Sequence, residues 1–356
     1  MRILYDARSV RTPAGIYVFR GLTSAWRDDG SVARVQVAVP QGFDLSVIPA
    51  GIEPIQHDGG SWFAHVQRAL PRLADRLRVD IIFAPNGAAP RDSRSVLYFQ
   101  DLFHFRARID ERLPVRGWVE RLSRATWRAI AAPQSLLGVA VSTEILEEVR
   151  GQVNLRSVLI PNGVDVGGHR WLGDGNFVLV MGGIGVRKDE PTAIHAWSRL
   201  PRSVRDGLSL RIIGVEPVER RRSLQALAAS LGLTQDVTVE GGMSRDDFLE
   251  GIARARLAIS CSRLEAFGLP VAEALAIGTP LVCTNIPSHD ELLRRASAGR
   301  TYESGSAADL ARHIECVLSG DIPPRMTDEP ARWTWHARAR EHLDAYRKAR
   351  SGVAPS

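Results

Sequence analysis

An α/β protein made of two doubly wound parallel-sheet domains is what this sequence predicts, and three observations predict it. The chain has 356 residues, more than one ordinary core fills, so two domains of about 150–180 residues are expected. Short apolar runs alternate along it with amphipathic segments of helical period. The runs are continuous in apolar residues, which is the pattern of strands covered on both faces of a parallel sheet.

Taken in order, the first half offers strands near 2–6, 34–39, 80–84, 95–99, 136–141 and 157–161. The second half is more regular. Its strands read FVLVMGG (177–183), LSLRIIGV (208–215), VTVEG (237–241), LAISC (257–261) and PLVCT (280–284). Amphipathic segments follow at 189–200, 218–231, 244–255, 270–277 and 306–318. Between the halves, PNGVDVGGHRWLGDG (161–175) is rich in Gly, Asp and Asn and has no period of its own, so the join is expected there. The division is 1–165 for the first domain, 166–325 for the second, and 326–356 for a closing helix. Paired domains of this kind are expected to hold their ligand in the cleft between them, at the carboxyl ends of strands.

Composition narrows the class. Apolar residues make up 44% and charged residues 24%, which is ordinary for a globular protein. The opening MRILYDARSV carries Arg2 and Asp6 among its apolar residues, so it reads as a strand and not as a signal peptide, and no apolar run reaches the length of a membrane span. Cys261, Cys283 and Cys316 are odd in number and lack metal-ligand spacing, which argues for reduced thiols in a cytoplasmic protein. The net charge of +6 rests almost wholly on arginine, since lysine occurs only at 188 and 348. A basic balance suits an anionic partner such as a phosphorylated substrate, a membrane surface or nucleic acid. Scattered arginines without a recognition motif argue against nucleic acid.

The most informative stretch is RLEAFGLPVAEAL (263–275), in which Glu265 and Glu273 lie on either side of Gly-Leu-Pro. Glu265 follows the strand LAISC. Pro270 is expected as the first residue of the next helix, with Glu273 in that helix's first turn. The free N–H groups at 268–271 and the positive helix end then make an anion site, which Gly268 opens to a phosphate. Two acids beside it would repel a bare phosphate. They suit a ligand that carries hydroxyls next to its phosphates, because carboxylates accept hydrogen bonds from sugar and ribose hydroxyls.

EAFGLPVAEALAIGTPLV resembles the signature of the retaining glycosyltransferases of family 4, Glu, seven residues, Glu around Phe-Gly-Leu-Pro. Five further segments fall in that family's order. TPAGIYVFRGL (12–22) is similar to its N-terminal glycine loop, VSTEILEEV (141–149) to its Val-Ser helix start, and IPNGVD (160–165) to its inter-domain linker. GGIGVRKDEPTAIHAW (182–197) resembles the Arg-Lys segment that opens the second domain, and RWTWHARAREHLDAY (332–346) the C-terminal helix that crosses back to the first.

The resemblance implies a GT-B fold, two Rossmann-like domains facing a central cleft, and transfer of a sugar from a nucleotide diphosphate with retained anomeric configuration and no metal or other cofactor. Glu273 would hold the ribose hydroxyls and Glu265 those of the sugar. Arg187 and Lys188 would carry the diphosphate, with backbone N–H groups at Phe267, Gly268 and Leu269 assisting and Gly15 letting a loop close over the donor. Independently of the family, paired cations and a helix N-terminus stabilise charge that grows on a leaving diphosphate. Asp101, Glu265 and Lys188 are the expected catalytic set.

Two departures stand out. Gln100-Asp101 replaces the family's common His-Asp after SVLYF, and a glutamine hydrogen-bonds a hydroxyl but does not share a proton as imidazole does. His104 is a candidate substitute, and Gln100, Asp101 and His104 together are the expected acceptor side. Ala266 stands where the family has glycine. The acceptor itself, a glycan, a lipid-linked sugar or a small molecule, is left open, as is the donor base among UDP, GDP and dTDP. Residues 105–131 carry seven arginines against three acids with Trp118, Leu122, Ala125 and Ala129 at helical spacing, a pattern that fits either peripheral contact with an anionic membrane or packing on the first domain. Rival readings are a sugar-nucleotide epimerase of the same fold, a non-catalytic sugar-nucleotide or carbohydrate binder, which Gln100 favours, and a dehydrogenase. For the last, GGIGVR lacks the third fingerprint glycine, whose place Lys188 holds.

Overall fold

The computed structural model describes residues 1–57, 60–85, 89–101, 126, 130–326 and 333–353. It divides into two compact units, Met1–Gly163 with Ala331–Ser356, and Val164–Pro330. The first division thus falls at 163/164, where 165/166 was expected, and the chain returns to the first unit at Ala331 where 326 was expected. Among the described residues, no helix is long and apolar enough to cross a membrane.

In the first unit a parallel sheet of seven strands runs β3-β2-β1-β4-β5-β6-β7. The strands are β1 (Arg2–Asp6), β2 (Arg34–Pro40), β3 (Glu53–His57), β4 (Ile81–Pro85), β5 (Ser95–Phe99), β6 (Leu137–Ala140) and β7 (Ser157–Leu159). β1, β4, β5 and β6 are buried almost throughout, which is why their runs are uninterrupted in apolar residues. β3, EPIQH, is the strand the sequence pattern misses. As an edge strand it needs no apolar run, and it tolerates Pro54.

Helix α1 (Pro13–Arg27) begins at Thr12, whose hydroxyl accepts from Gly15 N. The expected glycine loop is therefore a helical turn, and Gly15 lies inside it. α2 (Leu70–Leu77) places Leu70, Leu73 and Ala74 over Leu4, Ala38 and Ile82. α3 (Thr143–Gln152) starts from Ser142 as N-cap, the Val-Ser start.

In the second unit six parallel strands run β10-β9-β8-β11-β12-β13. They are β8 (Phe177–Met181), β9 (Ser209–Ile213), β10 (Val237–Val239), β11 (Leu257–Ser260), β12 (Leu281–Thr284) and β13 (Arg300–Tyr302). The three-residue β13 is too short and polar for its pattern to show in the sequence. The connecting helices are α4 (Glu190–Arg199), α5 (Val218–Ser230), α6 (Arg245–Arg254), α7 (Leu269–Ile277), α8 (Pro287–Ala296) and α9 (Ala307–Leu318). Trp197 of α4, Ile212 of β9 and Ile314 of α9 meet in one fully buried cluster, where each Ile contributes roughly 1.5–3 kcal/mol. The order 3-2-1-4-5-6 reverses direction between β8 and β11, and ligands of doubly wound sheets bind at such a switch point.

The last helix, α10 (Trp335–Arg350), is capped by Thr334 and packs on α1 in the first unit. Trp335 sits where Gly21 and Gly163 make room for it, since a Cβ on Gly21 would come within 2.3 Å of its ring and one on Gly163 within 2.7 Å of its backbone. His342 and Tyr346 continue into the aromatic cluster of Trp26, Phe83 and Tyr98.

Candidate functional site

A cluster of charged side chains sits at the switch point of the second unit. The turn after β8 and the loop after β11 lie side by side and are laced together by backbone. Arg263 N donates to Arg187 O at 2.8 Å, and Arg187 Nη1 donates to Leu264 O at 3.0 Å. A further ion pair, Arg263 Nε to Asp189 Oδ2 at 2.8 Å, closes the outer side.

Within this frame one carboxylate oxygen gathers three donors. Glu265 Oε1 accepts from Arg187 Nη1 at 2.7 Å, Lys188 Nζ at 2.8 Å and Ser262 Oγ at 2.8 Å. Burial alone would raise the Glu265 carboxyl, but Lys188 and Arg187 outweigh it and hold it at about 2. Among the described residues no hydrogen bond reaches Oε2. Arg187 Nε and Nη2 and the remaining ammonium protons of Lys188 likewise have no hydrogen-bond partner there. The pair thus keeps donors for an anion while Glu265 keeps an acceptor for a hydroxyl.

Arg187 and Lys188 end a 3-10 turn, Val186–Lys188, and Lys188 is buried. Two glycines make this possible. A Cβ on Gly182 would stand 2.7 Å from Ile213 O, and one on Gly183 would stand 2.7 Å from Lys188 Cε. These close approaches account for the paired glycines of GGIGVR without any dinucleotide fingerprint.

Gly268 takes a left-handed conformation, φ +91°, and caps α7, a conformation that favours glycine. The helix starts at Leu269, so Pro270 is its second residue and not its first. The first intrahelical bond runs from Ala272 N to Gly268 O at 3.0 Å. Proline has no N–H, so the free donors of this turn are Gly268, Leu269 and Val271, one fewer than the sequence suggested. Phe267 is buried beside them.

Glu273 consequently lies in the second turn of α7, beyond the reach of the dipole argument that would explain an acid in the first. It is 1% exposed, and among the described residues its ion pair is with Arg245 Nη1, 2.6 Å from Oε1, while no hydrogen bond reaches Oε2. Burial raises its carboxyl to about 7, against the pull of Arg245 and, more weakly, Lys188. A buried carboxylate with unused acceptor capacity is poised for hydroxyl donors.

Three participants escaped the sequence reading. Ser262 adds the third donor to Glu265. Arg245, at the start of α6, supplies the partner of Glu273. His289 of α8 is buried against Gly268, with Nδ1 placed to donate to Thr284 O at 3.2 Å and Nε2 without a partner among the described residues. Burial lowers its imidazole to about 4 despite nearby Glu265, so it is neutral. No spacing rule marks any of them: Arg245 and His289 come in from separate helices, and Ser262 is one small polar residue of the loop that carries Glu265.

In the first unit, Gln100 and Asp101 follow β5 at its carboxyl end and are half-buried. His104 and almost all of the basic segment 105–131 lie outside the described residues. Cys261 and Cys283 are buried free thiols and Cys316 a partly buried one. Burial pushes the Cys261 thiol up to about 12.

Residues 167–339, which hold the whole of this cluster, match the sequence profile described as "Glycosyl transferases group 1". They form a group 1 glycosyl transferase domain. Relatives of this domain include the lipopolysaccharide glucosyltransferase WaaG of Escherichia coli K12, 26% identical over 169 residues, 48% of this chain and 42% of that protein. Another is the lipopolysaccharide core biosynthesis glycosyltransferase LpsE of Rhizobium meliloti, 31% identical over 146 residues, 41% of this chain and 40% of that one. The chain thus spans about two fifths of these relatives' length. Among solved structures, a sucrose-phosphate synthase from Thermosynechococcus elongatus covers 99% of this chain and 100% of its own with a TM-score of 0.76 at 17% identity. HepE from Anabaena, solved with UDP and glucose, covers 98% of this chain and 100% of its own with a TM-score of 0.72 at 14% identity. At these identities the likeness concerns the fold, two parallel-sheet α/β domains as in GT-B glycosyltransferases. In this glycosyl transferase domain, Arg187, Lys188, Glu265 and Glu273 fall inside the matched residues; Gly15, Gln100 and Asp101 fall outside them.

Proposed function

We propose that this chain is a retaining glycosyltransferase of family 4 that transfers a hexose-like sugar from a nucleotide diphosphate sugar to a hydroxyl of a glycan, lipid-linked or small-molecule acceptor. The observation that carries the reading is the cluster at the β8/β11 switch point, where two cations with spare donors stand beside the N-terminus of α7 and two carboxylates with spare acceptors.

In this reading Arg187, Lys188 and the free N–H groups of Gly268 and Leu269 bind the diphosphate and stabilise its growing charge, so no metal is called for. Glu265 Oε2 accepts from a sugar hydroxyl, Glu273 from the ribose, and Asp101 orients the acceptor. UDP is the first nucleotide to test, because HepE was solved with it. The relatives' roles in lipopolysaccharide synthesis make a bacterial polysaccharide or lipid-linked acceptor in the cytoplasm the class to try first.

Calorimetric titration with UDP, GDP and dTDP, first without metal and then with magnesium, tests the reading. One nucleotide should bind without metal and be lost in Glu273→Ala. Binding of none would remove the donor site and leave the non-catalytic carbohydrate-binding reading, which Gln100 favours.

A further inference from the structure

We propose that Arg245 is the positioning residue of this site: it holds the Glu273 carboxylate in its accepting position and ties it to the backbone of the joining segment at Asp165. The proposal rests on the nucleotide reading of Glu273 above and adds to it a residue that the sequence pattern does not mark.

The guanidinium spans two anchors. Nη1 lies 2.6 Å from Glu273 Oε1, and Nη2 donates to Asp165 O at 3.0 Å. Arg245 itself is fixed at the head of α6, where Ser244 caps the helix by accepting from Asp247 N. A planar guanidinium held at both ends sets the direction of the carboxylate it faces, which an ammonium on a flexible stem does less well. The other charged groups of α6 are engaged elsewhere. Asp246 and Glu250 face His169, Asp247 faces Ser244, and Arg254 faces Asp174. Among the described residues, the other charged neighbour that acts on Glu273 is Lys188, more weakly than Arg245. His289 and Glu265 act on one another.

This arrangement answers a difficulty in the site. A carboxylate buried as deeply as Glu273 binds a proton near neutrality, and a protonated carboxyl gives up acceptor capacity. The Arg245 cation opposes that protonation. Arg245 faces Oε1, and among the described residues no hydrogen bond reaches Oε2, so the carboxylate is oriented and keeps one oxygen as acceptor.

The experiment compares wild type, Arg245→Gln and Arg245→Lys by two readouts. The first is the affinity of UDP, GDP and dTDP between pH 6 and 9. The expected result for Arg245→Gln is an affinity about 10-fold weaker at pH 7.5, with the pH of half-maximal affinity moved up by about one unit, and partial recovery of both in Arg245→Lys. A uniform loss with an unchanged pH profile overturns the proposal. The second readout is the carboxyl ¹³C titration of Glu273 in glutamate-labelled protein, assigned with Glu273→Gln and needing no ligand. If the wild type binds none of the three nucleotides, the donor reading fails by itself. The titration then decides the positioning role, which is supported if Arg245→Gln moves it upward and overturned if it stays in place.

Discussion

Glu265 and Glu273 are chemically the same side chain, eight positions apart, and their surroundings drive them in opposite directions. Glu265 is held at about 2 by Lys188 and Arg187, so its contribution to stability is present above the ordinary carboxyl value near 4.5 and is lost only as pH falls toward 2. Glu273 is raised to about 7, so the cost of its burial is absent below about 4.5 and grows as pH rises through 7. Glu273→Gln, which removes that charge, is therefore expected to stabilise the protein at pH 8 by on the order of 1–3 kcal/mol and to change little at pH 5. Urea unfolding at the two pH values checks this, and an equal effect at both would show that ionisation is not the cause. For ligand binding, Glu273→Ala and Lys188→Ala are each expected to weaken the bound nucleotide about 10- to 100-fold with unchanged circular dichroism, since each removes a charge-assisted hydrogen bond of roughly 1.5–3 kcal/mol. Wild-type transfer rates in both variants would move the site elsewhere.

At the scale of elements, the site is set by how closely two loops approach. Gly182 and Gly183 have different neighbours, so their alanine variants are expected to separate stability from binding. Gly182→Ala meets the Ile213 carbonyl, which belongs to a strand and does not yield, and is expected to cost about 1–3 kcal/mol in unfolding free energy. Gly183→Ala meets the stem of Lys188, which is flexible, and is expected to cost little stability but several-fold in nucleotide affinity. Denaturant unfolding and calorimetry on the two variants read both quantities, and matching losses in stability and affinity would refute the distinction. Helix α7 makes the same point by its start. Its Gly268 cap and the missing N–H of Pro270 leave Gly268, Leu269 and Val271 as donors, a narrower anion site than four successive N–H groups would be.

Across the whole molecule the chain visits its first unit twice, and α10 completes the core that α1 and the seven-stranded sheet leave open. Trp335 fills the space above Gly21 and Gly163, and Trp335→Ala is expected to lower the stability of the first unit by about 3–5 kcal/mol. A lowered denaturant midpoint in a probe specific to that unit checks it; an unchanged midpoint would mean that α10 is not part of the unit's cooperative core.

The sequence by itself determined the two parallel sheets and their central strands, because continuous apolar runs are local properties of the chain, and it marked Arg187, Lys188, Glu265 and Glu273 through two short motifs. It left out β3 and β13, which sit at sheet edges where burial does not dictate an apolar run. It placed Glu273 one turn too early, since the start of α7 depends on the conformation of Gly268 and not on the proline. Only the tertiary structure decided that Lys188 is buried across Gly183, that Ser262 shares Glu265, and that Arg245 faces Glu273. Those contacts join residues 3 to 28 positions apart, and their energies depend on distance and burial, which no spacing rule carries.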